Sequence, residues 1–520
     1  MSLPRWLTEA RGFRADLIAL LAGALAALAL PPLALLPALL LAFPILLVLI
    51  NAADRGIAAA RRGWWFGFGY HLIGLYWITE AILFEAARFW WLVPLAVPAL
   101  AAVLAVFIAV PVWVTWFAAP RSSAAGRPWP GLDQSMQIQC SPAQVMALAG
   151  GWVLGDLARQ FFATGFPWNP LGSVWAIPGR FGDVMLQPAA LVSVHGLTLA
   201  TVALACAPVL RWRGRAVCLA LSLAWIGYGL NRIAAPSPPD QPLHVVLVQG
   251  NVAQGQKWDP AMRNAVFDRY LHLTDDGVRA AGLGPSVVVW PETASPFLLD
   301  DTALQAISAA SHDEPVLAGA VRFDKDDRPR NTLFAVTGVG SVSALYDKWH
   351  LVPFGEYQPS WAQVGIQLVP GGGFAPGPGP RTLRIPGVPP VGPLICYEAI
   401  FPGQVIDEAD RPDWMVNVTN DAWFGTSAGP RQHLAAARMR AVEEGLPLLR
   451  AANTGISAGF DGKGHEITRL GMELTGFRTV VLPGPLPRTL FAQFGLVLPG
   501  GLALGSLIAG MVASRWRRDR

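Results

Sequence analysis

Gly392-Pro-Leu-Ile-Cys396-Tyr-Glu398 ends an apolar run of strand length on a cysteine, and its reading decides the fold of the second half of the chain. In α/β folds a reactive side chain usually stands just past the carboxyl end of a buried strand. Two other strand ends carry matching chemistry. Ser286-Val-Val-Val-Trp290 runs into Pro291-Glu292, a carboxylate in a turn that proline stiffens. The strand expected at Ser343–Tyr346 is followed by Asp347-Lys348, with Glu356 eight residues on. A Cys–Glu–Lys set makes chemical sense: the glutamate takes the thiol proton, and the lysine stabilises negative charge developing on a carbonyl oxygen. Taken singly, each residue is more ordinarily packing or a solvated charge. Together, in this order and each at a strand end, they favour catalysis. His350 and His433 raise the option of a Cys–His dyad, although lone histidines are more often structural.

Outward from this set, strands are expected at His244–Gln249, Val316–Val321, Thr332–Val336 and Trp414–Val418, and at Leu446–Ala451. Helical spacing covers 260–281 and 430–445. Strands alternating with helices argue for a layered α/β domain. It begins after the linker Ala234-Pro-Ser-Pro-Pro-Asp240 and spans 235–485. Cys396 has no disulfide partner there, because Cys140, Cys206 and Cys218 all lie earlier.

The first part reads differently. The 520-residue chain is 53% hydrophobic and only 14% charged, below the roughly 25% charge of ordinary soluble domains. Residues 1–234 contain no lysine and eight of the 35 acidic residues. Apolar runs near 15–31, 33–50, 64–84, 90–118, 143–158, 185–209, 215–231 and 489–513 approach the about 20 residues a membrane span needs. Pro31-Pro32 leads straight into a second apolar run, so the first is a hairpin arm rather than a cleaved signal. With the N-terminus in the cytoplasm, fifteen arginines fall in inside segments and four (Arg88, Arg159, Arg180, Arg232) outside, a strong positive-inside bias. The expected organisation is a membrane domain of seven spans (1–234), an extracytoplasmic domain (235–485), and an eighth span with a basic tail (486–520). Phe161–Trp175 reads equally as an interfacial aromatic belt or a re-entrant loop, and 119–141 as an insertion without function. The small, scattered net charge of +4 does not suggest nucleic acid.

At this point the chain resembles the nitrilase superfamily, whose Glu–Lys–Cys triad is matched in order by Glu292, Lys348 and Cys396. Within it, the apolipoprotein N-acyltransferases are similar throughout. The shared stretches include Gln249-Gly-Asn251 with Lys257-Trp258, Trp290-Pro-Glu292 and Lys348–Tyr357. They continue through Cys396-Tyr-Glu398, Thr419–Gly425, Gly429–His433 and Arg450–Gly455. The resemblance implies a polytopic helical membrane domain of about eight spans plus an extracytoplasmic α/β nitrilase-like αββα sandwich. It implies ping-pong transfer of a fatty acyl group from a phospholipid, with phosphatidylethanolamine expected. The group passes through a Cys396 thioester to the α-amino group of a diacylglyceryl-cysteine on an apolipoprotein. Glu356 and the backbone of Tyr397 take supporting roles, and Trp258 and Glu398 are pocket or gating positions. No cofactor or metal is implied. The expected enzyme is a monomer in the bacterial inner membrane, its catalytic domain in the periplasm. The main alternative is a membrane-tethered amidase or nitrilase with water as acceptor. An inactivated scaffold and a transporter are weaker readings.

Overall fold

The computed structural model describes residues 5–83, 89–119, 140–257, 259–360 and 373–516. Trp258 and most of the 119–141 insertion fall outside them. The chain divides into two compact units, one of Met1–Asn231 with Phe494–Arg520 and one of Arg232–Gln493.

The first unit is helical. Among the described residues, four helical stretches are long and apolar enough to cross a membrane: Trp90–Phe117, Ala189–Val209, Trp212–Ala234 and Val497–Trp516. Leu36–Asn51 is a shorter apolar stretch, and Gly12–Ala27, Gly56–Gly74 and Pro142–Phe161 complete the set of long helices. Several run close together because glycine replaces a side chain at the crossings. A Cβ on Gly23 would lie 1.9 Å from the carbonyl oxygen of Phe66, and one on Gly510 2.4 Å from that of Ala143; in lipid such small-residue contacts supply the packing that hydrophobicity cannot.

Two local expectations change here. Arg61 and Arg62 belong to the first turns of Gly56–Gly74 rather than to a loop. Arg62 is buried and donates to the Leu49 carbonyl at the end of the preceding helix, and Arg61 pairs with Asp16 at 3.1 Å. The Arg62 guanidinium thereby satisfies a carbonyl that the helix end leaves open. In the aromatic segment, Phe161 and Phe162 are exposed but Trp168–Val174 are buried. Arg159 donates to the Trp168 carbonyl at 2.6 Å and pairs with Asp156 at 2.8 Å. Asn169 donates to the Gly74 carbonyl. The segment is thus tied into the interior of the unit, as a re-entrant loop requires, rather than laid on its surface as a belt.

The second unit is an α/β sandwich of two six-stranded sheets. The first contains β1 (His244–Gln249), β2 (Ser286–Val289), β3 (Val316–Phe323), β4 (Pro329–Thr337) and β5 (Ser341–Asp347). The second contains β6 (Leu383–Ile385), β7 (Val388–Ile395), β8 (Trp414–Thr419), β9 (Leu448–Ala452), β10 (Ser457–Phe460) and β11 (Glu466–Leu470). β12 (Gly476–Val481) returns to the first sheet, giving the orders β12-β1-β2-β3-β4-β5 and β11-β10-β9-β8-β7-β6. The central strands β1–β2–β3 and β7–β8–β9 run parallel, and their apolar runs are buried on both faces as parallel strands require.

Side-chain alternation sorts these residues into layers. Val245, Leu247, Val287 and Val289 meet Val391, Ile395, Val416 and Val418 between the sheets. Val246, Val248 and Val288 face outward onto helices α1 (Arg263–Ala281) and α2 (Asp301–Ala310), through Val266, Phe267, Tyr270 and Ile307. Leu394, Met415 and Leu448 pack under Leu434, Ala437 and Ala441 of α3 (Gly429–Glu444). The result is the αββα order. Each fully buried aliphatic side chain here contributes about 1.5–3 kcal/mol over an exposed one. The strands expected from apolar runs are present, whereas β6, β10, β11, β12 and α2 carry weak local patterns. β12 is held by antiparallel pairing with β1, and β11 by pairing with β10.

Candidate functional site

The three residues singled out in sequence come from both sheets. Glu292 follows β2, Lys348 follows β5 and Cys396 follows β7. Each is buried: Glu292 is 6% exposed, Lys348 1% and Cys396 7%. Lys348 Nζ lies 3.0 Å from Glu292 Oε1 and 2.9 Å from Glu356 Oε1. Asn331 on β4 donates to the same two oxygens, at 2.7 and 3.1 Å. The other oxygen of Glu292 accepts the backbone N–H of Asn420, just past β8, at 2.9 Å. Glu356 is held in turn by the Val352 N–H at 2.8 Å. One carboxylate therefore joins the ends of β2, β4, β5 and β8.

The turn carrying Glu292 needs a close approach of backbones. A Cβ on Gly319 of β3 would sit 2.2 Å from the Pro291 carbonyl oxygen and 2.9 Å from Glu292 Cα, so only glycine lets the turn seat against β3. Cys396 has φ of 51°, a left-handed conformation that costs a non-glycine residue of order 1–3 kcal/mol. The fold holds it there. His433 on α3 sits with Nε2 2.9 Å from the Cys396 carbonyl oxygen, to which it donates, and Nδ1 3.0 Å from Asp421 Oδ1. Arg450 pairs with the far oxygen of Asp421 at 2.6 Å. His433 thus reaches the cysteine's backbone rather than its thiol. His350 is stacked on Phe401 at 3.8 Å and bonded to Gln404, so neither histidine forms a Cys–His dyad.

Electrostatics assign the resting protonation states. Burial pushes the Cys396 thiol well up and the Glu292 charge adds to that, outweighing the opposing Lys348 cation. Burial also acts to raise Glu292, but Lys348 prevails and holds its carboxyl below the usual range. Burial alone would lower Lys348, yet the two glutamates and the cysteine carry it well above an ordinary lysine. The site at rest is a neutral thiol beside an ionised carboxylate and an ammonium, an arrangement that can supply a base to a thiol nucleophile.

Glu398 was expected at a pocket or gating position. It is completely buried. Its Oε2 accepts the Ile395 N–H at 2.6 Å, while Oε1 accepts those of Trp349 at 2.7 Å and His350 at 3.4 Å. Both oxygens are consumed in bracing the turns that carry Cys396 and Lys348, which makes Glu398 a positioning residue. Burial raises its carboxyl to about 7, against backbone hydrogen bonds that oppose the shift. Because the folded pKa lies above the unfolded one, this group's stabilising contribution is present below about 4.5 and is lost as pH rises through about 7. Glu398→Gln places an NH₂ against a backbone N–H. It is expected to cost about 1–3 kcal/mol and to abolish this pH slope, both read from thermal unfolding between pH 4.5 and 8.

Tyr397 is buried edge-on to Phe401 with ring centroids 5.2 Å apart, and its backbone begins the short 3₁₀ turn Cys396–Ile400. Asn331, Asn420 and Lys257 were not singled out in sequence as site residues. Asn331 sits inside an apolar strand, and no local signal marks it. Among the described residues, no group of three His, Cys, Asp or Glu has metal-binding geometry.

Comparison with known proteins adds a separate finding. The family profile described as "Apolipoprotein N-acyltransferase N-terminal domain" matches residues 22–207, and "Carbon-nitrogen hydrolase" matches 247–476. An apolipoprotein N-acyltransferase of Rhodopseudomonas palustris is 37% identical over 539 residues, covering 97% of this chain and 96% of that protein. Its counterpart in Sinorhizobium medicae is 39% identical, covering 90% of each chain. That of Brucella melitensis is 38% identical, covering 91% of each. Among solved structures, Saccharomyces cerevisiae Nit3, a member of branch 10 of the nitrilase superfamily, is 18% identical. It covers 48% of this chain and 93% of Nit3 with a TM-score of 0.37.

Proposed function

The chain belongs to the apolipoprotein N-acyltransferase family, and from that premise we propose how its residues carry the transfer and where they do so. It is a membrane-compatible acyltransferase that acts on lipoproteins. The observation supporting the mechanism is the single buried cluster that Glu292, Lys348 and Cys396 form from three strand ends.

In the first half-reaction, Glu292 removes the Cys396 thiol proton as sulfur attacks the acyl ester carbonyl of a phospholipid, with phosphatidylethanolamine the expected donor. Lys348 and the Tyr397 N–H stabilise the oxyanion. Preorganised donors of this kind contribute about 10²–10³-fold each. Collapse breaks the ester C–O bond, and the departing lysophospholipid alkoxide takes the proton back from Glu292. In the second half, the neutral α-amino group of a diacylglyceryl-cysteine attacks the thioester carbonyl. Glu292 accepts the amine proton, the C–S bond breaks, and the thiolate recovers that proton. The product is an amide.

The location follows from the substrates, both of which are anchored in lipid. The bias of arginines toward inside segments, with the eight spans expected from the apolar runs, favours residues 235–485 lying in the periplasm, at the outer face of the inner membrane. A monomer contains every residue the scheme needs. The test is single-turnover incubation of the purified protein with acyl-labelled phosphatidylethanolamine. A hydroxylamine-sensitive adduct should form and be discharged by a diacylglyceryl peptide much faster than by water. Absence of the adduct, or discharge by water at an equal rate, overturns the proposal, the second outcome in favour of a hydrolase.

A further inference from the structure

Lys257 ends the short helix Gln254–Lys257 and is only 2% exposed. Its ammonium donates to the carbonyl oxygen of Glu292 at 3.2 Å and to the hydroxyl of Thr293. Both of these acceptors are uncharged, so on them the ammonium acts as a hydrogen-bond donor to the turn. They also belong to a strained turn. Thr293 has φ of 45°, and a β-branched residue in that region is a genuine outlier. The same turn aims the Glu292 carboxylate.

Charge balance gives the position a second meaning. Glu292 and Glu356 share one cation, Lys348, leaving that trio net negative before any thiolate forms. The charges that act on Lys257 include Glu292 and Cys396. Those acting on Cys396 include Glu292, Lys348 and Asp421, and Asp421 is neutralised by Arg450. Burial lowers Lys257 to about 8, with Glu292 and Cys396 opposing the shift, so it remains largely an ammonium at neutral pH.

We propose that Lys257 is a positioning residue for the acyl transfer: its ammonium locks the Glu292-Thr293 turn and supplies the second positive charge that two carboxylates and a developing thiolate require. The inference rests on Cys396 being the nucleophile. Removing an opposite charge from beside an ionising group shifts it by about 1 unit or more. In Lys257→Met the alkaline limb of Cys396 alkylation by iodoacetamide, read on the Cys396 peptide by mass spectrometry, should therefore move up by about one pH unit or more. Acyl-enzyme formation at neutral pH should fall about tenfold or more.

Lys257→Gln keeps a hydrogen-bond donor for the turn without the charge and should show the same shift, which covers the case of a poorly folded methionine variant. Lys257→Arg should return the limb toward its original place. An unmoved limb in both neutral variants overturns the inference, even if activity falls, because a merely structural role lowers rates without moving the thiol's titration. A labelled adduct that persists in Cys396→Ser overturns the catalytic assignment instead, so the two failures are separable.

Discussion

Cys396→Ser is expected to form no hydroxylamine-sensitive adduct and to lose at least about 10⁴-fold in turnover. An oxygen ester in its place would resist neutral hydroxylamine, and the serine hydroxyl is far less acidic than a thiol. The available base is also a weak one, since Lys348 holds the Glu292 carboxyl below its usual range. That base is adequate for a thiol whose proton moves as the C–S bond forms, but not for an alcohol. Folding should be little affected. Cys396 is held through its carbonyl by His433 and through the adjoining Ile395 N–H by Glu398, neither of which involves sulfur. The melting temperature should therefore stay close to that of the parent while single-turnover acylation disappears. A serine enzyme that still acquires a hydroxylamine-sensitive label would remove Cys396 from the mechanism.

Lys348→Met should fail in both stability and rate, for one electrostatic reason. Lys348 is 1% exposed and lies between two carboxylates at 3.0 and 2.9 Å. Deleting it leaves Glu292 and Glu356 facing each other with Asn331 as their shared donor. Breaking a buried ion pair by removing one partner costs about 3–5 kcal/mol. One of the carboxylates should then take up a proton, because like charges at such range cannot both ionise. In the rate, loss of an oxyanion donor accounts for about 10²–10³-fold, and protonation of the base multiplies it. The expected signature is a lowered melting temperature together with an acid limb of residual activity moved to higher pH. Lys348→Met with full acylation rates would show that the oxyanion is stabilised elsewhere.

The two replacements thus separate roles that the sequence left joined. Chain order and strand ends singled out Glu292, Lys348 and Cys396 because a reactive residue just past a strand leaves a local trace in the sequence: an apolar run that stops on it. Glu356, eight residues past Lys348, was given its supporting role only by the family resemblance, since it stands in the loop beyond β5 rather than at a strand end. Glu398 was expected at a pocket or gating position because the family resemblance implies one there. Its two oxygens are instead spent on backbone groups that come from β7 and from the loop after β5. No sequence pattern records that.

By itself the sequence determined that this protein joins an arginine-oriented apolar part to a layered α/β part, because hydropathy and strand periodicity are local properties of the chain. It also singled out Glu292, Lys348 and Cys396 as the three candidate side chains for the chemistry. Only the tertiary structure decided what makes them work together. Asn331 from β4, Asn420 from beyond β8 and Lys257 from beyond β1 converge on Glu292 although they lie 35 to 128 positions away from it in the chain. Asn331 and Lys257 arrive from other strands of the sheet that carries Glu292, and Asn420 arrives only because the second sheet packs against the first, an arrangement no window of sequence contains. The left-handed backbone at Cys396 is likewise a tertiary decision, imposed by a histidine on a helix 37 residues later. Hydrogen bonds and charges act over a few ångströms of space rather than along the chain, and that is why the strand-end cysteine was readable in the sequence while the field around it was not.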